Sequence, residues 1–372
     1  MILDRIEILD FKNIADATID FSPGVNCLLG MNGMGKSNLL EAIHFLSFAR
    51  ASSSIPDRTL VRHGQQFLMV KGFYTSDSGS SETVACGITP GKGKSLRLNG
   101  KEYQRISEHI GRFPIVTVSP ADTRLVEGSG EERRRLMDMV ISQADQTYLS
   151  HLIRYTRALD SRNRMLRSGM KDPLLYESVE LNMQAAAEAI FDARREWTAR
   201  ISPIFADYYT AVSGGKEAAR VAYRSQLEDT TLPALLTDAR AKDLAIGHTT
   251  RGVHRDDLEM TLDGYSARRL GSQGQVKTFT IALRLAIFDY LRQTGGKTPL
   301  LLLDDIFDKL DADRVARIMK LVSANQSFGQ IFITDTNRKH LDEILSEISG
   351  PRLMLEVADG TFTRIPVPDE TF

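Results

Sequence analysis

Eight residues constrain this chain more than any others. Gly30-Met31-Asn32-Gly33-Met34-Gly35-Lys36-Ser37 fits G-x-x-x-x-G-K-[ST]. Glycines at these positions let the backbone curl until successive N–H groups converge, which makes a cradle for phosphate oxygens. The flanks fit as well. Val25–Leu29 reads as a short buried strand, and Leu39, Leu40, Ile43 and Leu46 mark one face of a helix leaving the loop. That helix adds the positive end of its dipole. Lys36 is placed to reach the β- and γ-phosphates of a nucleotide, and the Ser37 hydroxyl to ligate Mg²⁺.

A second stretch completes such a site. PLLLLDD, residues 299–305, is an apolar strand ending in two carboxylates. A buried strand has little use for paired aspartates unless a cation or a reactive water sits beside them. Asp304 is placed to hold Mg²⁺, and Asp305 to orient or deprotonate the water that attacks the γ-phosphate. About thirty residues earlier lies Leu270-Gly271-Ser272-Gln273-Gly274-Gln275. A serine between glycines at a helix start offers a hydroxyl and free N–H groups to an anion. Ser272 with Gln275 equally fits an ordinary capping box. Lys36 and its loop already hold the phosphates in one subunit, so a second anion site makes sense if it faces a partner's nucleotide.

Around these motifs the chain reads α/β, then helical, then α/β again. Residues 66–104 carry short β-rich runs, with Asn99-Gly100 as a hairpin signal. From 131 to about 211 the composition is helical, with Pro173 and Pro203 expected as breaks, and a helix follows around 232–245. Strands return at 258–262, 300–303, 330–334 and 352–357, with helices after Ser272 and over 312–323 and 338–347. Strands alternating with helices of this length imply a mainly parallel sheet.

The motif set resembles that of ABC-type ATPases: GMNGMGKSNLLEA, LGSQGQ, LLLLDD and Asp308-Lys309-Leu310-Asp311. The fuller pattern resembles the SMC-like branch, and within it the RecF family. LDFKNI (9–14), VSPADTRLVEGSGEERRRLMD (118–138), GVHRDDL (252–258) and IFITDT (331–336) carry it across nearly the whole chain, in the family's order. The resemblance implies an ABC/SMC-type ATPase head with an antiparallel β subdomain and an inserted, mainly helical lobe. The head is expected over 1–125 and 246–372, and the lobe over 126–245. With about 110 residues and no sustained heptads, any arm on the lobe is short.

The same resemblance implies ATP and Mg²⁺ as cofactors and an ATP-dependent homodimer. Each nucleotide would lie between one copy's phosphate loop and the other's signature. In cis it implies Gly30, Asn32, Gly33, Gly35, Lys36, Ser37 and Asn38, with Lys12 and Asn13 of the FKN stretch near the phosphates. In trans it implies Ser272, Gly274 and Gln275. Asp305 and Lys36 are the catalytic pair, and Ser37 and Asp304 the metal ligands. The implied partners are double-stranded DNA at gaps and single-strand junctions, RecR and RecO, and indirectly RecA.

Four departures stand out. Gln273 occupies a position where ABC proteins usually have glycine. Asp305 stands where most have glutamate, and one methylene less moves the carboxylate from the water, so slow turnover is expected. Thr334-Asp335-Thr336 replaces the switch histidine, leaving either Thr334 or Asp335 as the γ-phosphate sensor. Ala51-Ser52-Ser53-Ser54 lacks the arginine that many relatives carry nearby.

Lys+Arg number 47 against Asp+Glu 48, which excludes a polybasic coating but not a local basic patch. Residues 131–171 hold nine Lys/Arg against five Asp/Glu. Arg154, Arg157, Arg164, Arg167 and Lys171 fall on one side of a helix, and Leu152, Tyr155, Leu159, Leu166 and Met170 on the other. That stripe is the candidate DNA contact; a plain solvated face is the alternative. His254-Arg255-Asp256-Asp257 reads as an interface, a support for the signature helix, or a buried ion pair. Cys27 and Cys86 read as buried thiols. Charges throughout the first thirteen residues and the short run Leu300–Leu303, against the roughly 20 residues a bilayer span needs, lead to a cytoplasmic expectation without a membrane. The rival readings are a soluble ABC ATPase serving a transporter and a nucleotide-gated scaffold without turnover.

Overall fold

The computed structural model describes residues 1–52, 55–307, 310, 312–324, 328–347 and 350–367. Of the motif Asp308-Lys309-Leu310-Asp311, all but Leu310 lies outside them, as do Ser53 and Ser54. The chain forms two compact units, Met1–Asp122 with Ile287–Phe372, and Thr123–Ala286.

The first unit contains two six-stranded sheets. One has the order β2-β1-β4-β5-β6-β7 and is antiparallel: β1 Ile2–Phe11, β2 Ile14–Asp20, β4 Leu68–Thr75, β5 Ser81–Thr89, β6 Gly93–Leu98 and β7 Lys101–Glu102. Buried and open positions alternate along β4 and β5, as a sheet with one packed face requires. Asn99 and Gly100, at φ 50° and 79°, make the hairpin their sequence predicts.

The other sheet has the order β15-β14-β3-β13-β12-β8. Its strands are β3 Val25–Leu29, β8 Ile115–Val118, β12 Leu300–Asp304, β13 Ile331–Asp335, β14 Arg352–Ala358 and β15 Thr361–Ile365. All its pairings are parallel except that of the unanticipated β15 with β14. Its central strands are apolar almost throughout because both faces are covered. Helix α1, Lys36–Phe48, lies against β1 and β4 of one sheet and against β8, β12 and β13 of the other. It is accordingly buried nearly all round, from Leu39 to Phe48.

The second unit is helical with one small sheet. Its helices are α2 Thr123–Glu127, α3 Gly130–Ala144, α4 Gln146–Arg167, α5 Pro173–Ser213, α6 Leu232–Ile246 and α7 Ala267–Leu270. Helix α8, Gln273–Gly295, begins in this unit and continues past its boundary. Residues 246–286, expected with the head, cluster here for two reasons. Strand β10, Asp257–Leu262, pairs along its length with β9, Ala219–Arg224, and Phe279 of α8 packs on Phe205 and Tyr209 of α5.

Pro173 opens α5 as a first-turn proline should, but Pro203 does not break it. The helix runs on for 41 residues because Ile201, Phe205 and Tyr209 on either side of that proline are fully buried, and packing outweighs one lost hydrogen bond. Cys27 and Cys86 are buried free thiols, as read; burial pushes the Cys86 thiol up to about 12. Among the described residues no helix is long and apolar enough to cross a membrane.

Candidate active site

The phosphate loop leaves the C-terminal end of β3, between β14 and β13, where open parallel sheets place their ligand crevice. Gly33 and Gly35 have φ of 83° and 117°, in the left-handed region that glycine permits. At Gly30 the constraint is space: a Cβ there would lie 2.4 Å from the Val357 carbonyl oxygen. Lys36 is only 3% exposed, and its Nζ arches back to donate to the carbonyls of Gly30 (2.7 Å) and Met31 (3.2 Å). No side chain caps the start of α1 and its first turn holds no acidic residue, so the positive end of its dipole is not neutralised there.

The aspartate pair arrives by register. In the sheet Asp304 of β12 is level with Thr334 of β13, and Asp335 with Leu29 of β3. Asp304 Oδ1 accepts hydrogen bonds from the Ser37 hydroxyl and from the Thr334 hydroxyl, each at 2.8 Å. The Thr334 Oγ1 in turn accepts the Asp305 N–H at 2.9 Å, and Thr334 is fully buried. Asp305 sits at φ 45°, a left-handed conformation costing about 1 kcal/mol for a residue with a side chain. Sequence reasoning left Thr334 or Asp335 as the γ-phosphate sensor. The Thr334 hydroxyl is committed to the aspartate pair. The Asp335 carboxylate accepts from the Asn337 N–H (2.8 Å) and lies 3.2 Å from His340 Nδ1.

Ser37 and Asp304 together present one hydroxyl and one carboxylate, the hard oxygen donors that suit Mg²⁺. No cluster of three or more His, Cys, Asp or Glu that could hold a metal exists among the described residues. At the loop's mouth Asn38 Nδ2 donates to Asn13 Oδ1 at 2.7 Å, and Asn13 also lines Gly35. Lys12 is held at φ 51° by its N–H to the Leu60 carbonyl (2.7 Å). Asn32 is exposed.

The signature belongs to the second unit. Ser272 and Gln275 form the capping box: Ser272 N–H donates to Gln275 Oε1 at 2.7 Å, and Gln275 N–H to Ser272 Oγ at 3.3 Å. Gln275 Nε2 also donates to Glu217. Both ends of this amide are thus engaged inside its own unit.

His254-Arg255-Asp256-Asp257 anchors a buried ion network, the third of the readings left open by sequence. Arg194, 2% exposed, donates to Asp256 Oδ2 and Asp138 Oδ1, each at 2.8 Å. Arg133 forms a two-pronged pair with Asp257 (2.6 and 2.9 Å). His254 accepts from the Tyr155 hydroxyl at Nδ1 (2.8 Å) and its Nε2 lies 3.1 Å from the Thr249 carbonyl. Burial pushes its pKa down to about 4.

Arg154, Arg157, Arg164 and Arg167 are exposed on α4, but α4 ends at Arg167, so Lys171 lies beyond the helix. Exposed Asp160 falls in the same arc, and Arg154 donates to Asn182 (2.9 Å). Met170, expected on the apolar face, is exposed. Arg162, not singled out from sequence, is fully buried. It pairs with Glu180 (2.8 Å) and the equally buried Asp243 (2.7 Å), tying α4, α5 and α6 together.

A family model described as the RecF/RecN/SMC N terminal domain matches residues 2–352. The chain belongs to this family. Among relatives, the "DNA replication and repair protein RecF" of Porphyromonas gingivalis is 49% identical over 361 residues, covering 97% of this chain and 99% of that one. That of Phocaeicola vulgatus is 48% identical over 365 residues, covering 98% of each. A solved structure described as the "recombination mediator protein RecF-ATP in RecFOR pathway" matches with a TM-score of 0.88 at 26% identity over 98% of both chains. The SMC/ABC-type ATPase head, with its antiparallel sheet and helical part, is therefore the fold of this RecF-family chain.

Proposed function

We propose that this chain is an ATP-dependent DNA-binding clamp that hydrolyses ATP slowly. The observation that carries this reading is the hydroxyl–carboxylate cluster of Ser37, Asp304, Thr334 and Asp305 beside the phosphate loop. A relative of this fold and family is described with ATP, which supports the nucleotide.

In this reading the N–H groups of Asn32, Gly33 and Gly35 receive the phosphates, with Asn38, Asn13 and Lys12 at the mouth; Gly30, whose own N–H donates to the Asp335 carbonyl (3.3 Å), serves by letting the loop pass close to Val357. Lys36 exchanges the Gly30 and Met31 carbonyls for phosphate oxygens. Ser37 and Asp304 hold Mg²⁺, which when bound supplies neutralising charge at the β- and γ-phosphates. Asp305 accepts the proton of the attacking water. Being one methylene shorter than glutamate, it does so from a less favourable distance, hence weak turnover. Ser272 and Gly274 cover the nucleotide of a second copy, and Gln275 supports them. By function the head is 1–125 with 246–372, its stretch 246–286 carrying the signature although it packs in the second unit, and the lobe is 126–245.

Arg154, Arg157, Arg164 and Arg167, with Lys171 beyond them, are the proposed contacts to duplex DNA at gaps and junctions. Phosphate neutralisation gives affinity without sequence readout. The pathway named for the solved relative supports RecR and RecO as partners, a connection to recombinase loading, and a cytoplasmic location.

The test measures phosphate release together with binding to gapped, duplex and single-stranded DNA, with and without ATP. ATP-dependent binding that favours DNA with a duplex part, lost in Lys36→Ala, is the expected result. Binding indifferent to ATP would overturn the clamp. Phosphate release no faster than in Lys36→Ala would overturn the enzyme.

A further inference from the structure

Helix α5 ends where Gly214, at φ 80°, and Gly215 both donate back to the Thr210 carbonyl (2.9 and 3.1 Å). The turn that follows is pinned by Asp263. Its side chain accepts the Ala218 N–H at 2.8 Å, and its own N–H donates to the Ala218 carbonyl at 2.8 Å. Glu217 is held between these two fixed points. Its Oε1 accepts the hydroxyl of Tyr209, fully buried in the last turns of α5, at 2.7 Å. Its Oε2 accepts Gln275 Nε2.

A carboxylate only accepts hydrogen bonds, so Gln275 must present its amide nitrogen to Glu217 and its oxygen to the other side. On that other side is the Ser272 N–H, 2.7 Å from Oε1. Ser272 Oγ in turn accepts the Gln275 backbone N–H at 3.3 Å. Were the amide reversed, two donors would face each other at Ser272 N and the capping box would open. Phe279 fixes the rest of the helix start by packing on Phe205 (centroids 4.6 Å) and Tyr209 (6.0 Å) of α5.

We infer that Glu217 is a positioning residue for the signature: by holding the Gln275 amide it fixes the Ser272 backbone N–H, and so the placement of the serine that covers a second copy's nucleotide. This rests on the composite-pocket reading above. The hydrogen bonds of Glu217, to Tyr209 and Gln275, both lie within the second unit, so its loss should spare nucleotide capture by the phosphate loop and impair only what the signature does.

The experiment compares Glu217→Ala, Glu217→Gln, Gln275→Ala, the double variant Glu217→Ala/Gln275→Ala, and Ser272→Ala in the full chain. It reads melting temperature, ATP affinity of dilute monomer, kcat, KM and the ATP-dependent dimer constant. For Glu217→Ala the expectation is monomer affinity within about twofold, kcat lower by about tenfold and a dimer constant weaker by about tenfold. The double variant should be no worse than Gln275→Ala, because the two act in series. Glu217→Gln keeps shape but not the acceptor-only constraint, so a loss of about threefold is expected; it carries the test if the alanine variant does not fold. Wild-type kcat and dimerisation in folded Glu217 variants, or additive losses in the double variant, would overturn the inference if Ser272→Ala is impaired. An unimpaired Ser272→Ala would overturn the composite pocket and this inference with it.

Discussion

The Thr334 hydroxyl donates to Asp304 Oδ1 at 2.8 Å and fastens the end of one parallel strand to its neighbour at the point where the two aspartates emerge. The same oxygen accepts the Asp305 N–H, so one buried side chain sets both the carboxylate of Asp304 and the left-handed backbone of Asp305. Thr334→Val keeps the volume and removes both bonds, at a stability cost of about 1–3 kcal/mol. ATP binding should survive while kcat falls by about tenfold and the Mg²⁺ concentration for half-maximal rate rises. Thr334→Ser should behave as wild type. A magnesium titration of the steady-state rate checks this, and unchanged half-saturation in Thr334→Val would contradict it.

Gly30→Ala places a methyl where 2.4 Å separates it from the Val357 oxygen. The loop or the end of β14 must move, at a cost of about 1–3 kcal/mol. Nucleotide affinity should drop by more than about tenfold, because the cradle's N–H groups no longer converge. Equilibrium binding of a fluorescent ATP analogue, alongside a melt, reads both effects.

His254 makes stability depend on acid. Its pKa is about 4 when folded, against an ordinary value of 6.5, so the unfolded chain takes up this proton first as pH falls. The contribution is fully present above pH 6.5 and is lost between there and pH 4, by about 1.4 kcal/mol per unit. Denaturant unfolding at pH 7 and pH 5 should show a loss of about 2 kcal/mol from this residue. His254→Gln should flatten that part of the profile. An equally steep profile in the variant would assign the loss to other groups.

Replacing Arg154, Arg157, Arg164 and Arg167 by alanine should weaken duplex binding equally for all sequences. It should lower the slope of log affinity against log salt by up to about 3.6. An unchanged slope would move the DNA contact elsewhere. Exposed Asp160 in the same arc makes Asp160→Asn a complementary probe, expected to tighten binding slightly.

Much of this was legible in the sequence because it is local. A glycine pattern with a strand before and a helix after needs only contiguous residues, and so do an apolar strand ending in Asp-Asp and an Asn-Gly hairpin. What stayed hidden depends on partners far along the chain. β9 is a six-residue strand whose partner, β10, lies more than thirty residues further on, and nothing within ARVAYR marks the pairing. Thr334 shows its role only when sheet register sets it beside Asp304. The helical stripe picked out four exposed arginines on α4 and was silent on the buried Arg162, and it overran the helix at Lys171, because Gly169 takes φ 68° and turns the chain. Pro203 reads as a break in the sequence because its cost is local and fixed, whereas the burial that offsets it is tertiary.

The central claim is that two copies close on ATP, and sedimentation velocity of the Asp305→Asn variant with Mg²⁺ and ATP tests it most directly. Slowed hydrolysis should hold the closed state, so a monomer without nucleotide should become a dimer with it, while Lys36→Ala stays monomeric under the same conditions. A single monomeric species at saturating ATP would contradict the account.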